Sequence, residues 1–148
     1  MLIETVKIKK GTVYLFDDSA CLACTDRDGR ILLVEQLREV HSRRSIELPG
    51  GNVVLGESPM DAALREFEEE TSLPRPAHAE LLFTLDLDLS TSIHRTHVFR
   101  ACADASIDAS MGNAAIRSLA LEQALDLVRT GGITHAPTVA AILSIGLD

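Results

Sequence analysis

The chain has 148 residues, 46% hydrophobic and 24% charged, with 14 basic against 22 acidic side chains and a formal net charge of −8. That is the size and composition of one domain with a core of its own, which excludes a disordered chain and a small stapled scaffold. The negative balance disfavours a nucleic-acid surface, no apolar run approaches the ~18 residues of a membrane span, and residues 1–10 lack the apolar stretch of a secretory signal.

Aromatics are scarce and Trp is absent, so the core is expected to be aliphatic. Residues 5–24 are β-rich, in the segments TVKIKK, TVYLFDD and SACLAC. Cys21 and Cys24 form a C-x-x-C, but on a strand positions i and i+3 face opposite ways, so the two thiols diverge and read as small buried residues rather than a redox or metal pair. The odd count of three cysteines, with no secretion signal, points to a reducing, cytoplasmic setting.

Asp26-Arg27-Asp28-Gly29 carries the Asp-Gly hairpin signal, and residues 31–38 (ILLVEQLR) follow as a central strand. Residues 39–45 read as a polar, Arg-rich loop, and 45–48 pair briefly before Pro49-Gly50-Gly51. A helix then runs from Pro59 to about Thr71, capped by Ser58 and ended by the prolines at 74 and 76. Strands follow over about 79–88 and 94–103, a loop over 104–113 and a short strand over 116–119. A helix over 121–130 is stopped by Gly131-Gly132, and a last helix over 137–145 is capped by Thr134. Strands interrupted by helices at intervals imply an α/β fold, a mixed β-sheet sandwiched between α-helices.

Chemistry concentrates in the helix at 59–71. With Glu66 set at 0° on a wheel of about 100° per residue, Glu69 falls near −60° and Glu70 near +40°, so three carboxylates share a face. Ala62 falls on that face and leaves space above it, whereas Met60, Ala63, Leu64 and Phe67 form the stripe expected to be buried. Arg65 sits beside the acidic face. From Glu57 to Glu70 there are six acids and one Arg, a local net of −5. Like charges at these spacings repel by a few tenths of a kcal/mol per pair. A hard divalent cation bound through oxygen would relieve that; a solvated acidic face is the other reading of the same pattern.

The spacing around the acids decides between them. Gly51, five residues, Glu57, seven residues, then Arg65-Glu66-Phe67-Glu68-Glu69-Glu70-Thr71-Ser72-Leu73 resembles the Nudix hydrolase box, G-x5-E-x7-R-E-U-x-E-E-x-G-U, with U a bulky apolar residue. Only Ser72 departs, standing where the family has Gly, and a chance match of this quality has odds of about 10⁻⁴. Ser72 then occupies a left-handed helix terminator at a cost of ~1 kcal/mol. The resemblance implies a single Nudix domain over 1–148, with Glu66, Glu69, Glu70 and the Gly50 carbonyl holding Mg²⁺, or Mn²⁺ in its place, and Glu57 as a further ligand or supporting carboxylate. Arg65 would orient the acids, and Glu66 or Glu69 would act as base.

VEQLREV (34–40), IELPGG (46–51) and ITHAPTVAAIL (133–143) are similar to the corresponding stretches of ADP-ribose pyrophosphatases. That subgroup implies substrate contacts by Arg38, and Arg43 and Arg44 complete an anion-binding set opposite the acidic helix, with Glu47 beside it. A small nucleotide is then the partner, with no nucleic acid or membrane, and a homodimer formed through the N-terminal β segment.

Two departures stand out. Leu89 occupies the place of the subgroup's Pro, sixteen residues beyond the box, and the loop 106–115 contains no Glu, Asp108 being its only acid. The resulting expectation is Mg²⁺-dependent hydrolysis of a nucleoside diphosphate linked to another moiety, X, of the ADP-ribose or NDP-sugar type. Its alternatives are a nucleoside triphosphate pyrophosphatase and a catalytically weak nucleotide sensor. His94 and His97 read either as a base-stacking platform or as ordinary packing, and Phe16, Phe83 and Phe99 as core.

Overall fold

The computed structural model describes residues 1–104, 106–107 and 115–147. Most of the Glu-free loop, Asp108 included, lies outside them. Among the described residues, ten strands form two sheets. In the first, β1 (Leu2–Ile8) pairs antiparallel with β2 (Gly11–Phe16), and β8 (Ser92–Ile93) joins β2 in parallel.

The second sheet contains β3 (Ser19–Thr25), β4 (Arg30–Arg38), β5 (Arg43–Glu47), β6 (Gly50–Asn52), β7 (Ala79–Asp86), β9 (Arg95–Cys102) and β10 (Ile116–Ala120). Its order is β10-β4-β3-β9-β7, with β5 paired to β4 and β6 to β3. Only β3 and β9 run parallel, so this sheet is mixed.

Helix α1 (Pro59–Thr71) covers one face, and α2 (Leu121–Arg129) and α3 (Ala136–Ile145) the other. The period of two along SACLAC divides the core. Ala20, Leu22 and Cys24 pack with Ala62, Ala63 and Phe67 of α1. Cys21 and Ala23 pack with Val98, Ala124, Ala141 and Ile142 on the opposite side. The two cysteines thus diverge as the pattern requires, and burial pushes both thiols up to about 12.

Local chemistry accounts for most boundaries. One Asp26 carboxylate oxygen accepts from the backbone N–H groups of Asp28 and Arg30, each at 2.9 Å, and Gly29 takes φ +74°, closing the β3–β4 turn. Ser58 caps α1 by accepting from the Asp61 N–H at 3.1 Å, with Pro59 at the first position. Gly131, at φ +76°, follows α2.

Several expectations are corrected. Residues 39–45 are not a loop throughout: a 3-10 turn over Glu39–His41 reverses the chain and Arg43 opens β5, pairing back onto β4. An edge strand tolerates Arg and Ser there, since one side faces water. Met60 is exposed and Ala62 fully buried, the reverse of the stripe drawn above. Burial begins only at the second turn of α1, where Ala62, Ala63, Phe67 and Thr71 meet the sheet.

The strand β7 stops at Asp86 because the Asp88 carboxylate accepts from the N–H groups of Ser90 (2.7 Å) and Thr91 (3.3 Å), folding a turn instead. Thr134 does not cap α3. The N-cap position is His135, which makes no side-chain cap bond, and the Thr134 hydroxyl accepts from Arg43 at 3.0 Å.

Ser72 ends α1 at φ 61°, ψ 19°, its N–H donating to the Glu68 carbonyl at 2.9 Å. A non-glycine residue here carries the left-handed penalty. Ser72→Gly should therefore stabilise the fold by ~1 kcal/mol in urea denaturation, without changing the m-value.

Candidate active site

The site is built where β6 presses on β3 and α1 crosses above them. A Cβ at Gly50 would lie 2.5 Å from the Cys21 Cβ and 2.6 Å from the Ala20 carbonyl oxygen, so only glycine allows this approach. A Cβ at Gly51 would lie 2.5 Å from the Glu66 carboxylate carbon. The Glu66 carboxylate therefore rests directly on the Gly51 backbone. This is the physical demand behind the first glycine of the box.

Glu70, near +40° on the wheel, falls inside the arc of α1 that turns to the sheet rather than beside it. Its Oε2 accepts from the Gly50 N–H at 2.9 Å, and its Oε1 accepts from the Gln36 amide of β4. Burial raises the Glu70 carboxyl above its ordinary value, and the charge of Glu66 adds to this. Gln36 was not singled out from the sequence; it sits inside the VEQLREV stretch but carries no charge pattern of its own.

Arg65 gathers the remaining acids. Its Nε donates to Glu57 Oε1 at 2.9 Å and its Nη2 to Glu57 Oε2 and the Asn52 carbonyl, each at 3.1 Å. Its Nη1 donates to Glu66 at 2.6 Å and to Glu69 at 3.3 Å. All five guanidinium N–H groups are thus spent on protein oxygens, which makes Arg65 a positioning residue. Glu57 is held below the usual carboxylate range by this pairing. The fourth acid of the run, Glu68, points away and pairs with Arg75 at 2.7 Å.

The donor set is chemically suited to a hard divalent ion: three carboxylates and a glycine carbonyl, all oxygen, on adjoining turns. Among the described residues no three acidic, His or Cys side chains converge on a common point. Glu66 and Glu69 are turned to Arg65, and Glu70 to the Gly50 N–H. The close contact of Glu66 with Gly51 and the hydrogen bond of Glu70 to Gly50 fix two of the three carboxylates against the same short strand.

A cavity of about 350 Å³ opens beside Gly50, Gly51 and Asn52 and is lined also by Arg38, Glu47, His94 and His135. Arg38 donates through Nε to Glu47 Oε1 at 2.8 Å and through Nη2 to Glu47 Oε2 at 2.5 Å. Burial works against the Glu47 charge, but Arg38, His135 and the Ser45 hydroxyl together outweigh it and hold the carboxyl below its ordinary value. Arg38 also lies near enough to Glu70 to favour its charge.

The three expected arginines take different partners. Arg38 faces this cavity, Arg43 reaches to Thr134, and Arg44 pairs with Glu35 at 3.4 Å. The histidines divide too. His94 lines the cavity and packs on Phe16 with ring centroids 5.5 Å apart, whereas His97 bonds to Asp18 at 2.9 Å and Thr84 at 3.1 Å. A larger cavity of about 410 Å³ lies at the far end of β3, against Ala23, Thr25 and Cys102, and contains no box residue.

The NUDIX domain model matches residues 15–141. The chain belongs to the Nudix family. Over 52 residues it is 48% identical to the ADP-ribose pyrophosphatase of Bacillus subtilis (strain 168) and 42% identical to the methanol dehydrogenase activator of Bacillus methanolicus. Each match covers 35% of this chain and 28% of the relative. Over 63 residues it is 29% identical to the 8-oxo-dGTP diphosphatase of Escherichia coli (strain K12), covering 43% of this chain and 48% of that one. The matched segments thus span less than half the length of these curated relatives.

A solved structure described as an ADP compounds hydrolase shares the fold, with a TM-score of 0.73 at 16% identity over 95% of this chain and 80% of that chain. The Nudix resemblance drawn from the box, and the likeness to ADP-ribose pyrophosphatases, are both upheld.

The Arg38–Glu47 pair has a measurable signature. Glu47 is 4% exposed and Arg38 45% exposed, so Arg38→Ala leaves a buried carboxylate with little compensation. The loss should be ~2 kcal/mol, below the ~3–5 of a fully buried pair. In the native protein the folded-state pKa of Glu47 is lowered. Its contribution is therefore present above the unfolded value and lost as pH falls through the folded one. In the variant, burial of Glu47 is opposed only by His135 and the Ser45 hydroxyl, so that contribution shrinks. The stability gap between the two proteins, followed by urea denaturation, should be widest near pH 7 and close as the pH falls below 4.

Proposed function

We propose that this chain is a Mg²⁺-dependent hydrolase that cleaves the pyrophosphate bond of a nucleoside diphosphate linked to a second moiety, with residues 1–148 read as one Nudix domain. The observation that carries the proposal is the seating of Glu66 and Glu70 on the Gly50–Gly51 backbone, beside a cavity that also presents Arg38. The strand on which Glu66 and Glu70 rest thus forms one wall of a space of ligand size, and Arg38 forms another. Glu66, Glu69, Glu70 and the Gly50 carbonyl would hold the ion, with Glu57 supporting them through Arg65. Bound there, a divalent ion supplies neutralisation of diphosphate charge and a lowered pKa for an attacking water.

The chain's own residues do the rest. Arg38 spends two of its five N–H groups on Glu47 and offers others to phosphate oxygens. Glu47, held ionised by that pair, keeps the Arg38 fork in one orientation. Glu66 or Glu69 takes the proton of the water. Arg65, fully engaged, keeps Glu57, Glu66 and Glu69 from splaying apart.

The names of two of the relatives favour an ADP-ribose type substrate and a nucleoside triphosphate type substrate respectively. Leu89, 87% exposed in the turn between β7 and β8, keeps the second of these in view because the ADP-ribose subgroup has Pro there.

Purified protein tested with ADP-ribose, NDP-sugars, dinucleoside polyphosphates and nucleoside triphosphates, each with Mg²⁺ or Mn²⁺, decides among these. Glu69→Gln should abolish turnover while circular dichroism and melting temperature stay native, since the Glu69 side chain is 58% exposed. Near-normal turnover would remove Glu69 from the ion's ligands.

We also propose that the protein is a homodimer. Every residue of β1 is exposed, and Leu2, Ile3, Val6 and Ile8 there, with Tyr14 and Ile93 beside them, leave an apolar surface that a second copy would cover. Light scattering after size exclusion should give twice the chain mass; a monomer at micromolar concentration would refute it.

A further inference from the structure

A second cavity, of about 320 Å³, adjoins the first, and Arg38, Glu47 and His135 line both. The two cavities thus meet at the Arg38–Glu47 pair and His135. Beyond the shared wall it is lined by His41, Arg43, Ser45 and Thr134. Its one acid is Glu47, whose two oxygens are both engaged by Arg38. In a chain of net charge −8 this cavity presents two guanidinium groups, two imidazoles and the Thr134 hydroxyl, the Ser45 hydroxyl being bonded to Glu47.

The donors are held in place. The Arg43 guanidinium donates to the Thr134 hydroxyl at 3.0 Å, spanning the gap between β5 and the segment before α3, and makes no ion pair among the described residues. Its neighbour Arg44 pairs with Glu35 instead and takes no part.

His135 is fixed from below. The Thr138 hydroxyl accepts the Leu48 N–H at 2.9 Å and shares a hydrogen bond with His135 Nδ1 at 2.8 Å. This bond fixes the orientation of the ring. Burial, with Arg38 beside it, lowers the His135 pKa against the pull of Glu47. Ala136, the first residue of α3, also lines the cavity, and no side chain caps that helix end.

Such a set matches a tetrahedral dianion better than a neutral sugar. A phosphomonoester has three strong acceptor oxygens and no need of an acceptor from the protein, whereas a ribose would leave the Arg43 charge unmet. We propose that this cavity is a subsite for an additional phosphate, and that the preferred substrates are nucleoside diphosphate-X compounds carrying a phosphomonoester beyond the scissile diphosphate. The substrate part of this inference rests on the hydrolase proposed above; the anion site itself does not.

Two measurements test it. In the first, metal-free protein in EDTA is titrated with inorganic phosphate and with ribose 5-phosphate, followed by calorimetry. Saturable binding is expected, weakened at least tenfold in Arg43→Gln; Arg43 is exposed, so the variant should fold natively, and its melting temperature checks that. In the second, kcat/KM is compared for ADP-ribose and for ADP-ribose phosphorylated on either ribose. The phosphorylated form should be favoured at least tenfold, the advantage falling to within twofold in Arg43→Gln. His41→Gln should reduce the advantage.

Phosphate binding that is absent or insensitive to Arg43→Gln overturns the proposal, and so does an active enzyme with no phosphate advantage. An enzyme that turns over nothing, but binds phosphate through Arg43, defeats the hydrolase and leaves the anion site standing.

Discussion

Six acids crowd a fourteen-residue stretch with one basic residue among them, and the site depends on how that charge is held. Arg65 takes up three of the acids, Glu57, Glu66 and Glu69, by spending every N–H it has. Glu70 is handled differently, by the Gly50 N–H and the Gln36 amide, and remains partly desolvated. The local repulsion is thus not removed but stored in a defined geometry, with carboxylate oxygens collected along one edge of α1. Arg75 drains off Glu68, the acid that the edge does not need.

That geometry is only as good as the backbone beneath it. Gly50 lets β6 close on β3, and Gly51 lets a carboxylate lie where a side chain would otherwise stand. The core on the α1 side is built from small residues, Ala20, Ala62 and Ala63, around Phe67, so the helix sits close to the sheet and Glu70 can reach the strand. Fold and site share one requirement, a short distance between α1 and the Gly50–Asn52 strand.

The box, the order of strands and helices, the capping of α1 by Ser58 and the divergence of Cys21 from Cys24 were all legible in the sequence, because each rests on local periodicity or on one residue's own chemistry. What was not legible depends on depth and on distant partners. A helical wheel gives an azimuth and no depth, so it placed Ala62 over open space and Met60 in the core, and drew Glu70 beside Glu66 without showing that it turns inward. Gln36 meets Glu70 across 34 positions and Leu48 meets Thr138 across 90, so no window of sequence contains either pair. Arg38, Arg43 and Arg44 read as a single cationic set because they lie within seven residues. The alternation of β5 leaves Arg43 with Arg38 on one cavity and turns Arg44 to Glu35.

The fate of the cysteines has a practical consequence. With Cys21 and Cys24 pushed to about 12, the thiolate fraction at neutral pH is on the order of 10⁻⁵, and both sulfurs are shut inside the sheet. Oxidants and alkylating reagents are left with Cys102, exposed on β9 at the far end of the sheet from Gly50. A fluorophore or spin label attached there would report on the molecule without a single engineered cysteine and without obstructing the carboxylate edge.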